Sequence, residues 1–166
     1  MMNRRNFLNQ ILLAACIVAT GSLRAVAALA SEHVEKIMKD DKVWKSELNP
    51  EQYDVLRQEG TERPFTSPLL KEHRKGAFAC AGCGLELFDS AAKCDSGTGW
   101  PSFFQAMPDH IETTTDHKLV MPRTEYHCAR CGGHQGHVFN DGPQPTGLRY
   151  CNNGVALRFI PKTGKA

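Results

Sequence analysis

Apolar residues along this chain follow two regimes, and the change falls near Leu69. Before it they recur at helical spacing. Ser31 and Glu32 can cap a short helix carrying Val34, Ile37 and Met38 on one face. Lys39-Asp40-Asp41-Lys42 reads as a solvated break. Asn49-Pro50-Glu51 starts a second helix with Pro at its first position; Tyr53, Val55 and Leu56 follow, and Gly60 ends it. Thr61 to Pro68 is a polar connector. Beyond Leu69, Gly and Pro punctuate short apolar or aromatic runs: Ala77-Phe78-Ala79, Leu85 to Phe88, Ser102-Phe103-Phe104, Leu119-Val120-Met121, Arg123 to His127, Val138-Phe139, and, around Cys151, Leu148 to Cys151 and Val155 to Phe159. This is the pattern of short antiparallel strands. The expectation is a mainly β protein, with a helical arm at 31–68, a β-body at 69–162 and a tail at 163–166.

Residues 1–30 have a different pattern. Arg4-Arg5-Asn6-Phe7-Leu8 precedes an apolar run from Ile11 to Thr20, then small residues through Ala27 and Ala30. That order predicts an export signal of twin-arginine type, and a periplasmic destination. The apolar run is too short for a membrane span. Cleavage after Ala27 or Ala30 removes Cys16. Two other readings are open: Leu13-Ala14-Ala15-Cys16 as a lipoprotein box that keeps Cys16 as an anchor, or an uncleaved amphipathic helix.

Charge narrows the function classes. The chain has 20 Lys+Arg against 18 Asp+Glu. Three of those arginines lie in the first thirty residues, which hold no acid, so the rest carries 17 against 18. A near-neutral body with no basic stripe argues against nucleic acid as a partner.

Cysteine spacing brings in the chemistry. Cys80-Ala81-Gly82-Cys83 and Cys128-Ala129-Arg130-Cys131 are two Cys-x-x-Cys knuckles, each followed by glycine. Two intervening residues let both sulfurs meet one ion, and four thiolates suit tetrahedral Zn²⁺. Redox disulfides or an iron centre are the rival readings. Export favours disulfides in general, but the spacing favours metal.

Cys151 has no nearby cysteine. In a strand, Arg149, Cys151 and Asn153 point the same way. A fixed positive charge beside a thiol lowers its pKa, and Asn153 can hydrogen-bond on the other side. A buried free cysteine is the plain alternative. Same-face Arg and Asn neighbours tilt the reading towards a reactive thiol.

Four motifs in order resemble those of one family, the methionine-R-sulfoxide reductases, the B type of peptide-methionine sulfoxide reductase. They are C-A-G-C-G-L-E-L-F from Cys80, D-S-G-T-G-W-P-S-F from Asp95, C-A-R-C-G-G-H-Q-G-H-V-F-N-D-G-P from Cys128 and G-L-R-Y-C-N-N-G-V-A-L-R-F from Gly147. The likeness runs from about Trp44 to Pro161. It implies two antiparallel sheets, a structural zinc on Cys80, Cys83, Cys128 and Cys131, and thiol-dependent reduction of the R epimer of methionine sulfoxide, free or in proteins. Cys151 matches the family's nucleophile, which becomes a sulfenic acid. His134 and His137 match the paired histidines that polarise and protonate the sulfoxide oxygen. Read alone, they could equally be zinc ligands or turn residues. Trp100 matches the aromatic that receives the substrate methyl, although a lone Trp is often core. Arg149 and Asn153 match supporting residues, and Phe139 is expected to line the pocket. Asn140 stands where many members carry Asp.

The recycling step departs from much of the family. Thr98 occupies the position of a common resolving cysteine, and Cys94 lies four residues earlier, where an aromatic is common. Either Cys94 attacks the sulfenic acid, or an external thiol or thioredoxin-like protein reduces it directly. Nothing in the sequence demands more than a monomer. Two other classes stay open on the residues alone: a zinc-ribbon-like binding module and a general thiol-disulfide oxidoreductase.

Overall fold

The structure is a computed structural model and describes residues 34–118 and 121–163. The export signal with Cys16, the Ser31 cap and most of the tail lie outside the described residues.

The first helix is not where the sequence pattern puts it. Residues 34–40 are non-helical, and α1 spans Asp41–Glu47, starting inside the expected break. Two effects account for this. The Ile37 N–H donates to the Arg130 carbonyl of the second knuckle at 2.7 Å, while Val34 and Ile37 pack on the core. Tertiary contact of this kind outweighs the weak propensity of so short a segment. Asp41 in the first turn and Lys45 in the last suit the helix dipole, and the two pair at 2.9 Å across one turn. The helix buries Trp44 to 2% exposure.

The second helix, α2 (Pro50–Gln58), follows the expectation. Asn49 and Gln52 form a reciprocal capping box with Pro50 at the first helical position. Glu59 turns left-handed at φ 56°, and the Gly60 N–H returns to the Asp54 carbonyl at 3.0 Å. Val55 and Leu56 are buried.

Among the described residues, nine strands follow in two antiparallel sheets. The three-stranded sheet has the order β2-β1-β9, from β1 (Gly76–Cys80), β2 (Glu86–Asp89) and β9 (Leu157–Pro161). The six-stranded sheet has the order β3-β4-β8-β7-β6-β5. It comprises β3 (Lys93–Cys94), β4 (Ser102–Phe103), β5 (Ile111–Asp116), β6 (Arg123–Cys128), β7 (His134–Phe139) and β8 (Arg149–Asn152). The core holds Phe78, Phe88, Phe103 and Tyr126, with the Phe88 and Phe103 rings stacked at 4.2 Å. Trp44, Val55 and Leu56 of the helices join the same core.

The β-rich segments Leu148 to Cys151 and Val155 to Phe159 supply β8 and β9, which lie in different sheets and are joined by a 3₁₀ turn at Gly154–Ala156. One strand expectation changes. The expected strand at 119–121 is absent in its described part: Met121 is exposed in the turn before β6. β5 carries four successive exposed residues, so no apolar alternation announced it; Ile111 and its three threonines are its β signal.

Candidate active site and metal centre

Each knuckle closes a tight turn at a strand end. Cys80 ends β1 and Cys128 ends β6, so the pairs come from different sheets. Gly84 and Gly132 take positive φ (76° and 65°), and their N–H groups return to the Cys80 and Cys128 carbonyls, both at 2.9 Å. The four sulfurs lie within 4.8 Å of one another. Sγ of Cys80 is 3.7 Å from that of Cys131, and Sγ of Cys83 is 3.4 Å from that of Cys128. A tetrahedral zinc with Zn–S bonds of about 2.3 Å needs sulfurs about 3.8 Å apart, so the set fits the ion with little movement. None of these cysteines forms a disulfide. The buried Gln135 donates Nε2–H to Cys80 Sγ at 3.4 Å, an outer partner of the kind metal thiolates carry. These four cysteines form the metal centre, and it joins the two sheets.

The second group lies on one row across the large sheet. Cys94, Ser102, Cys151, His137 and Glu125 are successive register partners on β3, β4, β8, β7 and β6. Directly opposed residues share a face, so His137 stands beside Cys151. Gly136 makes this close approach possible: a Cβ there would lie 1.9 Å from the Cys151 carbonyl oxygen. The spacing of three between His134 and His137 would put them on opposite faces of a regular strand. A register shift at Tyr126/His127 skips Gln135 and turns both to the same side, with ring centroids 5.7 Å apart.

A cleft of about 130 Å³ opens over this row, with Cys151, His137, Trp100, Phe139 and Asn153 in its wall. His134 is not in that wall; it is 3% exposed and sits behind His137. A larger groove of about 850 Å³ runs beside α2 and residues 61–69 but contains no Cys or His. The reactive groups converge on the smaller cleft, and chemistry outranks volume in locating a site.

Each imidazole has a carboxylate partner. His134 Nδ1 lies 2.5 Å from Glu125 Oε1, and His137 Nε2 lies 2.9 Å from Asp116 Oδ2. Burial pushes His134 below its ordinary pKa, against the pull of Glu125. Asp116 is held far below the usual carboxylate range by the Lys118 backbone N–H, then His137 and Arg123; Arg123 Nη2 is 2.5 Å away.

The thiol itself corrects one expectation. Burial pushes Cys151 above its ordinary pKa; Arg149 and the hydroxyls of Thr98 and Ser102 pull it down without prevailing. The reason is visible in Arg149. Its guanidinium is held by both oxygens of Asp141, at 2.8 and 2.9 Å, and lies 4.3 Å above the Phe139 ring. Much of its charge is therefore compensated before it reaches the sulfur.

Asn153 is also placed differently. β8 ends at Asn152, so strand parity stops before Asn153. Its Nδ2–H donates to the Gln135 carbonyl at 3.0 Å, and its Oδ1 accepts from the Glu62 N–H at 3.0 Å. Its amide fixes backbone at the cleft edge and is occupied away from the thiol. Trp100 Nε1–H donates to the Glu62 carbonyl at 2.9 Å. Cys94 is two strands from Cys151, with the buried Ser102 between. Two strand spacings are about 9.5 Å, beyond the roughly 7 Å limit for Cα atoms joined by a disulfide.

Reading the residues missed Glu62, Asp116, Arg123, Glu125 and Asp141. Arg123 and Glu125 were legible in principle, since Arg-Thr-Glu stands at strand parity just before the second knuckle. Glu62 gave no signal, because its partners are 38 to 93 residues away.

Residues 48–161 match the SelR domain family. This chain belongs to the SelR family. Among curated relatives, the peptide methionine sulfoxide reductase MsrB of Leptospira interrogans is 54% identical over 125 residues, covering 75% of this chain and 95% of that protein. The protein of the same description from Bradyrhizobium diazoefficiens is 54% identical over 129 residues, covering 77% and 93%. That of Methanosarcina mazei is 53% identical over 133 residues, covering 78% and 95%. The SelR match takes in both knuckles, the whole row from Cys94 to Glu125, and Cys151.

Proposed function

We infer that this chain reduces methionine-R-sulfoxide to methionine, with Cys151 as nucleophile. The observation that carries the reading is the register pairing of Cys151 with His137 in a cleft walled by Trp100 and Phe139. Coverage of 95% and 93% of two relatives described as methionine sulfoxide reductases, each at 54% identity, supports the reaction class.

The chemistry is a two-electron transfer. In net terms oxygen passes from the substrate sulfur to the Cys151 sulfur: the S–O bond of the substrate breaks and a Cys151 S–O bond forms, methionine leaves reduced by two electrons, and the thiol, oxidised by two, becomes a sulfenic acid. The thiol proton and the imidazoles of His137 and His134 serve the departing oxygen. His137 acts at the cleft, oriented by Asp116; His134 supports it from behind, oriented by Glu125. Trp100 and Phe139 give apolar surface to the substrate methyl and sulfur. Arg149 and Asn153 hold the frame. The metal centre supplies folding energy and takes no part in the steps.

The sulfenic acid then condenses with a thiol, releasing water, and a second thiol restores Cys151. An external dithiol, of thioredoxin-like chemistry, is the better supported source, given the Ser102 strand between Cys94 and Cys151. None of the steps calls on a second copy of the chain, so a monomer suffices as the working unit. The basic and apolar start of the chain supports export to the periplasm. A zinc-ribbon binding module leaves the Cys151 row without purpose, and a general disulfide exchanger needs a free Cys-x-x-Cys.

The test uses the two separated epimers of methionine sulfoxide with a dithiol reductant. Turnover of the R epimer by wild type and none by Cys151→Ser is expected. Turnover surviving in Cys151→Ser would remove Cys151 from the reaction.

A further inference from the structure

A second compact group of metal-ligating side chains lies outside the thiolate centre. The ligand atoms of Glu125, His127 and His134 are all within 4.8 Å of one another. The fold produces this directly. Glu125 and His127 are two apart on β6, and His134 is the register partner of His127 on β7. His127 Nε2 and His134 Nδ1 both address one oxygen, Glu125 Oε1, at 3.1 and 2.5 Å. The two rings are 5.9 Å apart.

We propose that Glu125, His127 and His134 bind one divalent transition-metal ion of borderline softness, such as Ni²⁺, Co²⁺, Cu²⁺ or Zn²⁺. Two imidazole nitrogens and a carboxylate oxygen are the donors such ions take. Mg²⁺ and Ca²⁺ prefer oxygen shells and are disfavoured. An ion about 2.1 Å from each donor needs donors no more than roughly 4.2 Å apart, so small side-chain rotations suffice. His127 is 17% exposed and opens the group to solvent, which leaves the remaining coordination positions to water. Two further carboxylates stand at the rim: Glu112, the register partner of His127 on β5, and Glu59, whose pKa is lowered by Lys118 first and then by the nearby His134 and His127 rings. Lys36 and Lys118 hold these two, so an incoming ion competes with their ammonium groups.

Occupancy replaces the contact between His134 Nδ1 and Glu125 with a metal bond and fixes the ring. Reversible loss of turnover follows. That consequence rests on the proposed role of His134; the binding itself does not.

The experiment titrates Ni²⁺ into full-length protein already holding its structural zinc, by calorimetry, with turnover and imidazole NMR measured in parallel. Wild type should bind one Ni²⁺, broaden the His127 and His134 ring signals, and lose turnover until a chelator is added. His127→Phe should weaken Ni²⁺ binding by at least the roughly tenfold that even an outer partner is worth, with turnover insensitive to Ni²⁺. No bound Ni²⁺, or equal affinity in His127→Phe, overturns the site. Broadening confined to other histidines in wild type overturns it without needing the variant. Binding that His127→Phe weakens, with turnover untouched, upholds the site and removes His134 from the reaction.

Discussion

His137 and Cys151 are direct register partners on β7 and β8, and the far nitrogen of that imidazole is held by Asp116 at 2.9 Å. An imidazole is thus fixed beside a thiol by backbone pairing on one side and a carboxylate on the other. Replacing His137 with Asn should lower kcat by about 10²–10⁴-fold, the usual contribution of a positioned acid or base, with little change in KM. Steady-state kinetics on methionine-R-sulfoxide check this. Unchanged kcat would place the proton source elsewhere.

Asp116 should also mark the acid stability of the fold. Its pKa is held far below the usual value in the folded chain, by the Lys118 N–H first and then by His137 and Arg123. For a depressed folded pKa, the stabilisation is present above the unfolded value, near pH 4, and is lost as pH falls through the folded value. Wild type should therefore lose stability below about pH 4 more steeply than Asp116→Asn. Denaturant unfolding across that range measures it, and parallel curves would deny Asp116 this role.

The thiol of Cys151 should be slow to alkylate at neutral pH. Burial sets its pKa above the ordinary value, and Arg149 opposes that shift. Alkylation by iodoacetamide, followed at the Cys151 peptide by mass spectrometry, should have a midpoint above about 8.5, the free thiol value. Arg149→Met should move the midpoint higher still. A wild-type midpoint near neutrality would mean that the guanidinium outweighs burial.

Loss of any one knuckle cysteine should unfold the domain. The metal centre joins β1 to β6, in different sheets. Structural zinc is worth about 10–16 kcal/mol in small domains, against a total stability of about 5–15 kcal/mol. Cys128→Ser should yield metal-free protein with no cooperative melting transition. A cooperative transition close to wild type would mean that the sheets hold without the ion.

Cys94→Ser should leave turnover with an external dithiol protein within about twofold of wild type, because Cys94 and Cys151 are separated by Ser102 and about two strand spacings. A fall of tenfold or more would show that the two-residue edge strand β3 peels away to let Cys94 reach the sulfenic acid.

Local signals in the sequence carried much of this. The capping box at Asn49, both knuckles with their glycines, and the β character beyond Leu69 are decided by neighbours a few residues apart, and they stand as read. What failed was decided at long range. The expected helix at 31–38 gives way to an extended segment bonded to Arg130. The parity argument for Asn153 ends because the chain leaves one sheet for the other at Gly154. The lowered thiol pKa expected from Arg149 is reversed by burial and by Asp141, eight residues away. Asp116 is invisible behind His137 without the pairing of β5 with β6, and the shared side of His134 and His137 is invisible without the bulge at Gln135.

Glu62 lies outside the strands, yet its main chain holds the indole of Trp100 and the amide of Asn153, while its carboxylate takes the N–H groups of Gly154 and Val155. The wall of the cleft is therefore anchored by a stretch that a purely β description would discard as leader. A polypeptide trimmed to begin at Leu69 would retain Cys151 and the four knuckle cysteines, but forfeit the clasp that keeps an aromatic surface beside that sulfur.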